Sequence, residues 1–351
     1  MTTPIRVLVV DDSAFVRKVV TEMLNRSDAL EVVGYARDGE EALELVERLQ
    51  PDVITLDLVM PRMNGVEFLR AQNRRRPVPV VVCSIAHESG EMALEAFEEG
   101  ATEFVQKPTA LATERVYEIA AELVAKVRAA AATMPTPRPS PRPPRESPST
   151  ARVLLQTVEF GDAKCDVVVL GISTGGPQAL RQVIPELPAG FPVPVVIVLH
   201  MPVGYTEMYA QRLNTLAPLD VREAREGDEV RAGAVLIAPA GKHLTFVRDR
   251  DAVRAHLDDR PTDSQHRPSV DELFRSAAET YGARVLGVVM TGMGSDGLLG
   301  AGHIKAQGGR IVTEAESSCV VYGMPRVVAE ASLSDRSATL DGMAGAIMEM
   351  I

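Results

Sequence analysis

DVVVLGISTGGP, residues 166–177, is an apolar run that leads directly into a serine set among glycines. An unbroken β-branched run of this length, closed by glycine, reads as a strand buried on both faces. The glycines at 171, 175 and 176 permit a sharp strand-to-helix turn that presents Ser173 at the carboxyl end of the strand. Further apolar runs follow at 193–200, 234–238, 284–291 and 310–313, separated by helical periodicities at 178–186, 205–216, 270–281 and 297–307. Strands alternating with helices on this scale build a Rossmann-like, doubly wound, mainly parallel α/β sheet. A small hairpin is expected around 243–253. Sheets of this kind bind ligands outside the carboxyl ends of their strands, so that edge is where chemistry belongs.

Upstream the pattern fails from Ala131 to about Phe160, where MPTPRPSPRPPRESPST (134–150) carries seven prolines in seventeen residues. Proline removes backbone donors and forbids regular structure, so a stiff, solvated linker is expected at 131–160. In front of it, β-branched runs at 5–10, 31–35, 53–57, 79–83 and 103–105 alternate with amphipathic stretches at 14–25, 39–49, 65–73, 90–99 and 110–130. Five strand-helix pairs predict a flavodoxin-like domain with a five-stranded parallel sheet over 1–130, leaving 161–351 as the second α/β domain.

Composition narrows the function classes. The net charge is −11, which divides into about −7 over residues 1–130, +2 over 131–160 and −6 beyond. Neither folded part is basic, which argues against nucleic acid as a target, since phosphate contacts need clustered Lys and Arg. No apolar run approaches the roughly eighteen residues of a membrane span, and MTTPIRVLVVDD lacks the layout of a secretory signal. A cytoplasmic protein without membrane insertion is expected. Cys83, Cys165 and Cys319 are odd in number and far apart, as expected of inert thiols in a reducing compartment.

The first domain places its polar residues at strand ends: Asp11 and Asp12 after the first, Asp57 at the third, Ser84 after the fourth, Lys107 after the fifth. A lone Asp-Asp pair after a strand more often caps a helix. Three converging carboxylates instead call for a hard divalent cation such as Mg²⁺, and Lys107 with Ser84 could then bind phosphoryl oxygens. With LDLVMPRMNG (56–65) and FVQKP (104–108), this domain resembles a response-regulator receiver over its whole length. The resemblance implies Asp57 as phosphoacceptor, Asp11 and Asp12 with Asp57 as Mg²⁺ ligands, and Ser84 and Lys107 as phosphoryl contacts. Phe104 matches the aromatic switch position, the alternative being a buried strand residue. The Lys107–Pro108 bond, an X-Pro bond, is open to either isomer.

In the second domain, G-x-S-x-G is a short pattern, and a glycine-rich turn after a strand also suits a phosphate cradle. A serine nucleophile needs an imidazole base oriented by a carboxylate. His200 ends the strand VPVVIVLH, and Asp296 follows RVLGVVM inside MTGMGSDG. Taken singly, His200 reads as a capping or packing residue and Asp296 as an N-cap for the helix after Gly297. Together with Ser173 they fall on one edge from three strands. His243 and His266, in loops, remain open as the base. His87 lies in the first domain, and His256 and His303 fall in surface or helical stretches. The candidate order Ser, His, Asp departs from the Ser, acid, His order of α/β-hydrolases. A dinucleotide site lacks the G-x-G-x-x-G spacing.

GISTGGP, LHMP (199–202), IAPAGKHL (237–244), HRPSVDELFRSAA (266–278) and MTGMGSDG (290–297) make residues 163–349 resemble the catalytic domain of the chemotaxis methylesterase family, CheB. Receiver, linker and this domain stand in that family's order. The resemblance implies Ser173 as nucleophile, His200 as general base and acid, Asp296 as its orienting carboxylate, and the amides of Thr174 and Met293 as oxyanion donors. It implies hydrolysis of glutamate γ-methyl esters and deamidation of glutamines on chemoreceptor helices, without a catalytic cofactor. A chemotaxis-type histidine kinase as phosphodonor and methylated chemoreceptors as substrates are the implied partners. Ile172 stands where the common GAST form has alanine, which is expected to reshape the pocket wall.

Overall fold

The computed structural model describes residues 3–84, 90–107, 113–132, 164–260, 264 and 266–351. Strands β1 (Ile5–Val10), β2 (Leu30–Ala36), β3 (Val53–Leu56), β4 (Val80–Ser84) and β5 (Glu103–Gln106) form one parallel sheet in the order β2-β1-β3-β4-β5. Helices α1 (Ala14–Leu24), α2 (Gly39–Leu49), α3 (Gly65–Arg75), α4 (Gly90–Glu98) and α5 (Thr113–Ala131) connect them. Alternation along β1 sends Val7 and Val9 into one core with α1 and α5, and Leu8 and Val10 into the other with α2, α3 and α4. Local chemistry sets the helix limits. Asp38 accepts the Glu41 N–H at 3.0 Å to start α2, and Asn64 with Glu67 closes a capping box on α3.

The second sheet has seven strands in the order β14-β13-β12-β6-β7-β9-β8, every pairing parallel. They are β6 (Val167–Ile172), β7 (Val195–Leu199), β8 (Asp220–Glu223), β9 (Ala234–Ile237), β12 (Val285–Val289), β13 (Arg310–Glu314) and β14 (Arg336–Ala338), with β10 (His243–Asp249) and β11 (Ala252–Asp258) forming an antiparallel hairpin. One face is covered by α6 (Gly176–Glu186), α7 (Thr206–Asn214) and α11 (Leu340–Met350), the other by α8 (Val270–Tyr281), α9 (Leu298–Ala306), α10 (Met324–Glu330) and the hairpin. From β6 the chain passes to β7, then to the edge strand β8, and β9 inserts between those two; after the hairpin it continues on the other side of β6 through β12, β13 and β14. The topological switch point therefore lies between β6 and β12, where ligand crevices form.

Glycine is required where this crevice is built. Gly175 has φ +77, and a Cβ there would strike Val320. A side chain at Gly171 would run into Val270, so its absence lets the first residue of α8 pack against β6.

Four elements were not legible in the sequence. β8 and β14 are four- and three-residue strands at the sheet edges, too short and charged for a β pattern. α10 is a single short helix behind Pro325, and α11 carries Gly342 and Gly345 and owes its stability to Met343, Ala344, Ala346 and Ile347 buried in the core. The hairpin runs to Asp258, beyond the expected 253, because β11 completes seven cross-strand pairs. Ile172 is wholly buried in the α6 and α11 face of the core beside Leu199, so its bulk is absorbed by packing and it does not form a pocket wall. The proline-rich stretch, Pro108 and His87 lie outside the described residues.

The two sheets are joined through side chains. Phe104 of β5, 2% exposed, packs against Tyr205 with ring centroids 5.0 Å apart and planes tilted by 55°, and Tyr205 with Met201 belongs to the packing of the first domain's core. Leu94 of α4 is buried in the second domain's core. Glu98 pairs with both Arg181 of α6, at 2.6 Å, and Arg212 of α7. The Gln178 amide donates to the carbonyls of Phe97 and Ala101 at 2.9 and 3.2 Å.

Candidate active site and phosphoacceptor site

Ser173, His200 and Asp296 each follow a strand at the switch point. The register pairs Ile172 with Leu199 and Gly171 with Val289, so Ser173 and His200 stand one residue past the ends of β6 and β7. The His200 N–H donates to the Ile172 carbonyl at 3.2 Å, and the Ser173 N–H to the Thr291 carbonyl at 3.0 Å. His200 and Asp296 are in direct contact, Nε2 to Oδ2 at 2.9 Å. Among the described residues no hydrogen bond joins the Ser173 hydroxyl to His200, and His200 Nδ1 is buried without a partner. A carboxylate only accepts, so its contact fixes the proton on Nε2 and leaves Nδ1 as the basic nitrogen.

Asp296 is not the cap of the helix that follows it. Asp271 of α8 does that work, accepting the N–H groups of Gly297 and Gly300 at 2.9 and 2.8 Å. The Asp296 carboxylate instead faces the N-terminus of α8, taking the Ser269 hydroxyl at 3.0 Å and the Asp271 N–H at 2.9 Å on Oδ1, and the Val270 N–H at 2.8 Å on Oδ2. Burial alone would raise its pKa. The His200 hydrogen bond and charge, with the two backbone donors, outweigh that and bring it to about 2. Ser269 begins the sequence SVDE, a capping signal that marks the start of α8; that its hydroxyl also reaches Asp296 depends on tertiary packing.

His266 lies over His200, with ring centroids 4.2 Å apart and planes 23° from parallel. Desolvation, followed by the charge His200 carries when protonated, holds His266 below the usual histidine range. His243 is buried at the start of β10 and is likewise lowered, chiefly by burial. His256 pairs with Glu226 at 3.0 Å on the hairpin, and His303 lies on α9. The amides of Thr174 and Met293 donate to no group among the described residues. A substrate carbonyl beside Ser173 could engage them.

In the first domain, Asp11, Asp12 and Asp57 each offer an oxygen within 4.8 Å of the others. Asp11 and Asp57 are buried and Asp12 exposed. Lys107 bridges Asp11 and Asp57 at 2.6 and 2.7 Å, and its N–H holds the Ser84 carbonyl at 3.0 Å. Burial, and then the neighbouring Asp57, push the Asp11 carboxyl above its usual range although Lys107 pulls against them. Lys107 is raised: burial opposes its charge, but the two carboxylates prevail. A pocket of three carboxylates with one cation, in which burial pushes an acid up, fits Mg²⁺.

A parallel sheet with this acidic pocket, joined to a doubly wound sheet carrying serine, histidine and aspartate at its switch point, defines a response regulator with a hydrolase output domain. Comparison with known proteins gives the family. A CheB methylesterase family model matches residues 168–347, and a response regulator receiver domain model matches 7–117. The chain is 52% identical over 342 residues to protein-glutamate methylesterase/protein-glutamine glutaminase 5 of Myxococcus xanthus, covering 97% of this chain and 96% of the relative. It is 41% identical over 357 residues to the Bacillus subtilis protein-glutamate methylesterase/protein-glutamine glutaminase, covering 99% and 98%. The crystal structure of the Thermotoga maritima CheB methylesterase catalytic domain superposes with a TM-score of 0.52 at 40% identity, over 53% of this chain and 99% of that one. The chain belongs to the CheB methylesterase family.

Proposed function

We propose that the chain hydrolyses glutamate γ-methyl esters and deamidates glutamines on chemoreceptor cytoplasmic helices, and that phosphorylation at Asp57 raises this activity. The observation that carries the catalytic reading is the carboxylate of Asp296, anchored by three donors of α8 and holding His200 Nε2 beside the Ser173 strand end. With Nε2 protonated, His200 Nδ1 takes the Ser173 proton as the oxygen attacks the side-chain carbonyl. The tetrahedral oxyanion is met by the amides of Thr174 and Met293. The imidazolium then protonates the leaving group, releasing methanol from an ester or ammonia from an amide. Water attacks the acyl-serine by the same base and regenerates Ser173, leaving glutamate. These steps need no cofactor.

Control by Asp57 rests on the shared packing. The loop from His200 runs through Met201 to Tyr205, which meets Phe104, so the first domain holds the segment that carries the base. In this reading Asp57 accepts phosphate from a chemotaxis-type histidine kinase, Ser84 and Lys107 bind the phosphoryl oxygens, and Phe104 responds. Asp11, Asp12 and Asp57 would hold Mg²⁺, which neutralises their charge and that of the incoming phosphoryl group. Transfer of the Lys107 charge from Asp57 to phosphate shifts the domains toward an open form, since only a difference in contacts between states can move their populations. The proline-rich stretch tethers the halves during this change, and the chain works in the cytoplasm.

The test incubates methyl-labelled receptor with wild type and Ser173→Ala, with and without a small-molecule phosphodonor. Methanol release from wild type, raised by the donor, and none from Ser173→Ala is expected. Equal release from both proteins would overturn the nucleophile.

A further inference from the structure

Glu314, the last residue of β13, is a buried carboxylate that the proposed reaction does not use, 1% exposed and without a basic partner among the described residues. Its Oε2 accepts the Thr291 N–H at 2.9 Å and its Oε1 accepts the Ser318 hydroxyl at 3.0 Å. Thr291 is in turn a hub for the serine turn. Its carbonyl accepts the Ser173 N–H at 3.0 Å, and its hydroxyl donates to the Thr174 carbonyl at 2.9 Å while accepting the Val321 N–H at 2.9 Å. Ser318 also accepts the Leu340 N–H at 2.9 Å, tying the 315–321 segment to α11. Val320 from that segment lies against Gly175, the φ-positive residue on which the turn pivots.

Retaining an acid away from water is costly unless its oxygens are hydrogen-bonded, so a buried carboxyl is a stringent geometric device. Here each oxygen fixes one side of the wall behind the nucleophile. One sets the height of Thr291, and therefore of the Ser173 and Thr174 backbone; the other sets the segment that closes over Gly175. We propose that Glu314 is a positioning residue for the nucleophile turn, acting through Thr291 on Ser173 and on the Thr174 amide. This deepens the reading of Ser173 as nucleophile and rests on it.

Glutamine at 314 can still accept from the Thr291 N–H, while its NH₂ donates to Ser318, whose hydroxyl has the Ala315 carbonyl at 3.2 Å as an alternative acceptor. Alanine can do neither. The experiment uses the full-length chain with methyl-labelled receptor, and counts competent sites by labelling with a fluorophosphonate that reacts with activated serine. Expected is a kcat per labelled site about 10- to 100-fold lower for Glu314→Ala with KM unchanged, slower fluorophosphonate labelling, and recovery to within about threefold of wild type for Glu314→Gln. Should the alanine variant not fold, Ser318→Ala, which releases one carboxylate oxygen, is read in the same way, with a fall of about three- to tenfold expected. A wild-type kcat and labelling rate in Glu314→Ala, or in Ser318→Ala where it alone folds, would overturn the positioning role, as would loss in Glu314→Gln equal to that in Glu314→Ala. Retention of activity in Ser173→Ala would instead overturn the underlying reading.

Discussion

Replacing Asp296 by asparagine preserves shape and removes charge, and the hydrogen-bond map fixes the consequence. Oδ2 takes two N–H donors, from Val270 and His200; Oδ1 takes the Ser269 hydroxyl and the Asp271 N–H. Whichever way the amide is turned, its NH₂ group opposes at least one backbone N–H. If the NH₂ faces His200, the imidazole must present a bare Nε2, and the proton moves to Nδ1, where the base is needed. Wrong-tautomer substitutions of this kind in serine hydrolases cost about 10⁴ in kcat, so a loss of about 10³ to 10⁴ is expected with little change in KM. Stability follows from linkage. A carboxyl lowered from 3.8 to about 2 contributes roughly 2 to 3 kcal/mol. Because the folded value lies below the unfolded one, this contribution is complete above pH 4 and is lost as pH falls through 2. Denaturant unfolding of wild type and Asp296→Asn across pH 7 to pH 2 measures it: the gap between them is expected to be widest at neutral pH and to close in acid. A kcat within tenfold of wild type, in a variant still dependent on Ser173, would refute the orienting role. A gap independent of pH would refute the electrostatic account.

Three further outcomes are expected. Glu98→Gln removes the charge shared by Arg181 and Arg212; partly exposed pairs of this kind contribute about 0.5 to 1 kcal/mol, so basal turnover without phosphodonor should rise about two- to fivefold, and an unchanged rate would separate this contact from restraint. His266→Ala removes a ring that resists protonation. Wild type should lose stability relative to the variant as pH falls below 6.5, because the unfolded histidine binds a proton more readily, and parallel pH-stability curves would contradict the stacking argument. Chelation by EDTA should abolish the activation produced by a small-molecule phosphodonor while leaving basal ester hydrolysis intact; activation that survives chelation would remove the cation from the acidic pocket.

The sequence by itself determined the alternation of strands and helices, because β-branched runs and helical periodicity are local signals that tertiary context reinforced in both sheets. It also determined which strand ends carry Asp11, Asp57, Lys107, Ser173, His200 and Asp296, since a residue following an apolar run must lie at the carboxyl edge. Elements held by distant contacts were illegible: α11, with its two glycines, and the edge strands β8 and β14 form because the rest of the sheet offers them a partner or a core. Only the tertiary structure decided which groups meet. Taken singly, Asp296 reads equally as the cap of its own helix; folding brings α8 against β6 through Gly171 and gives the carboxylate to Ser269, Val270, Asp271 and His200. Likewise His266 meets His200, Phe104 meets Tyr205, and Glu314 comes to lie behind Thr291. The physical reason is the same in each case: a strand end fixes where a side chain starts, but its partner comes from another strand or helix, whose distance in sequence leaves no local trace.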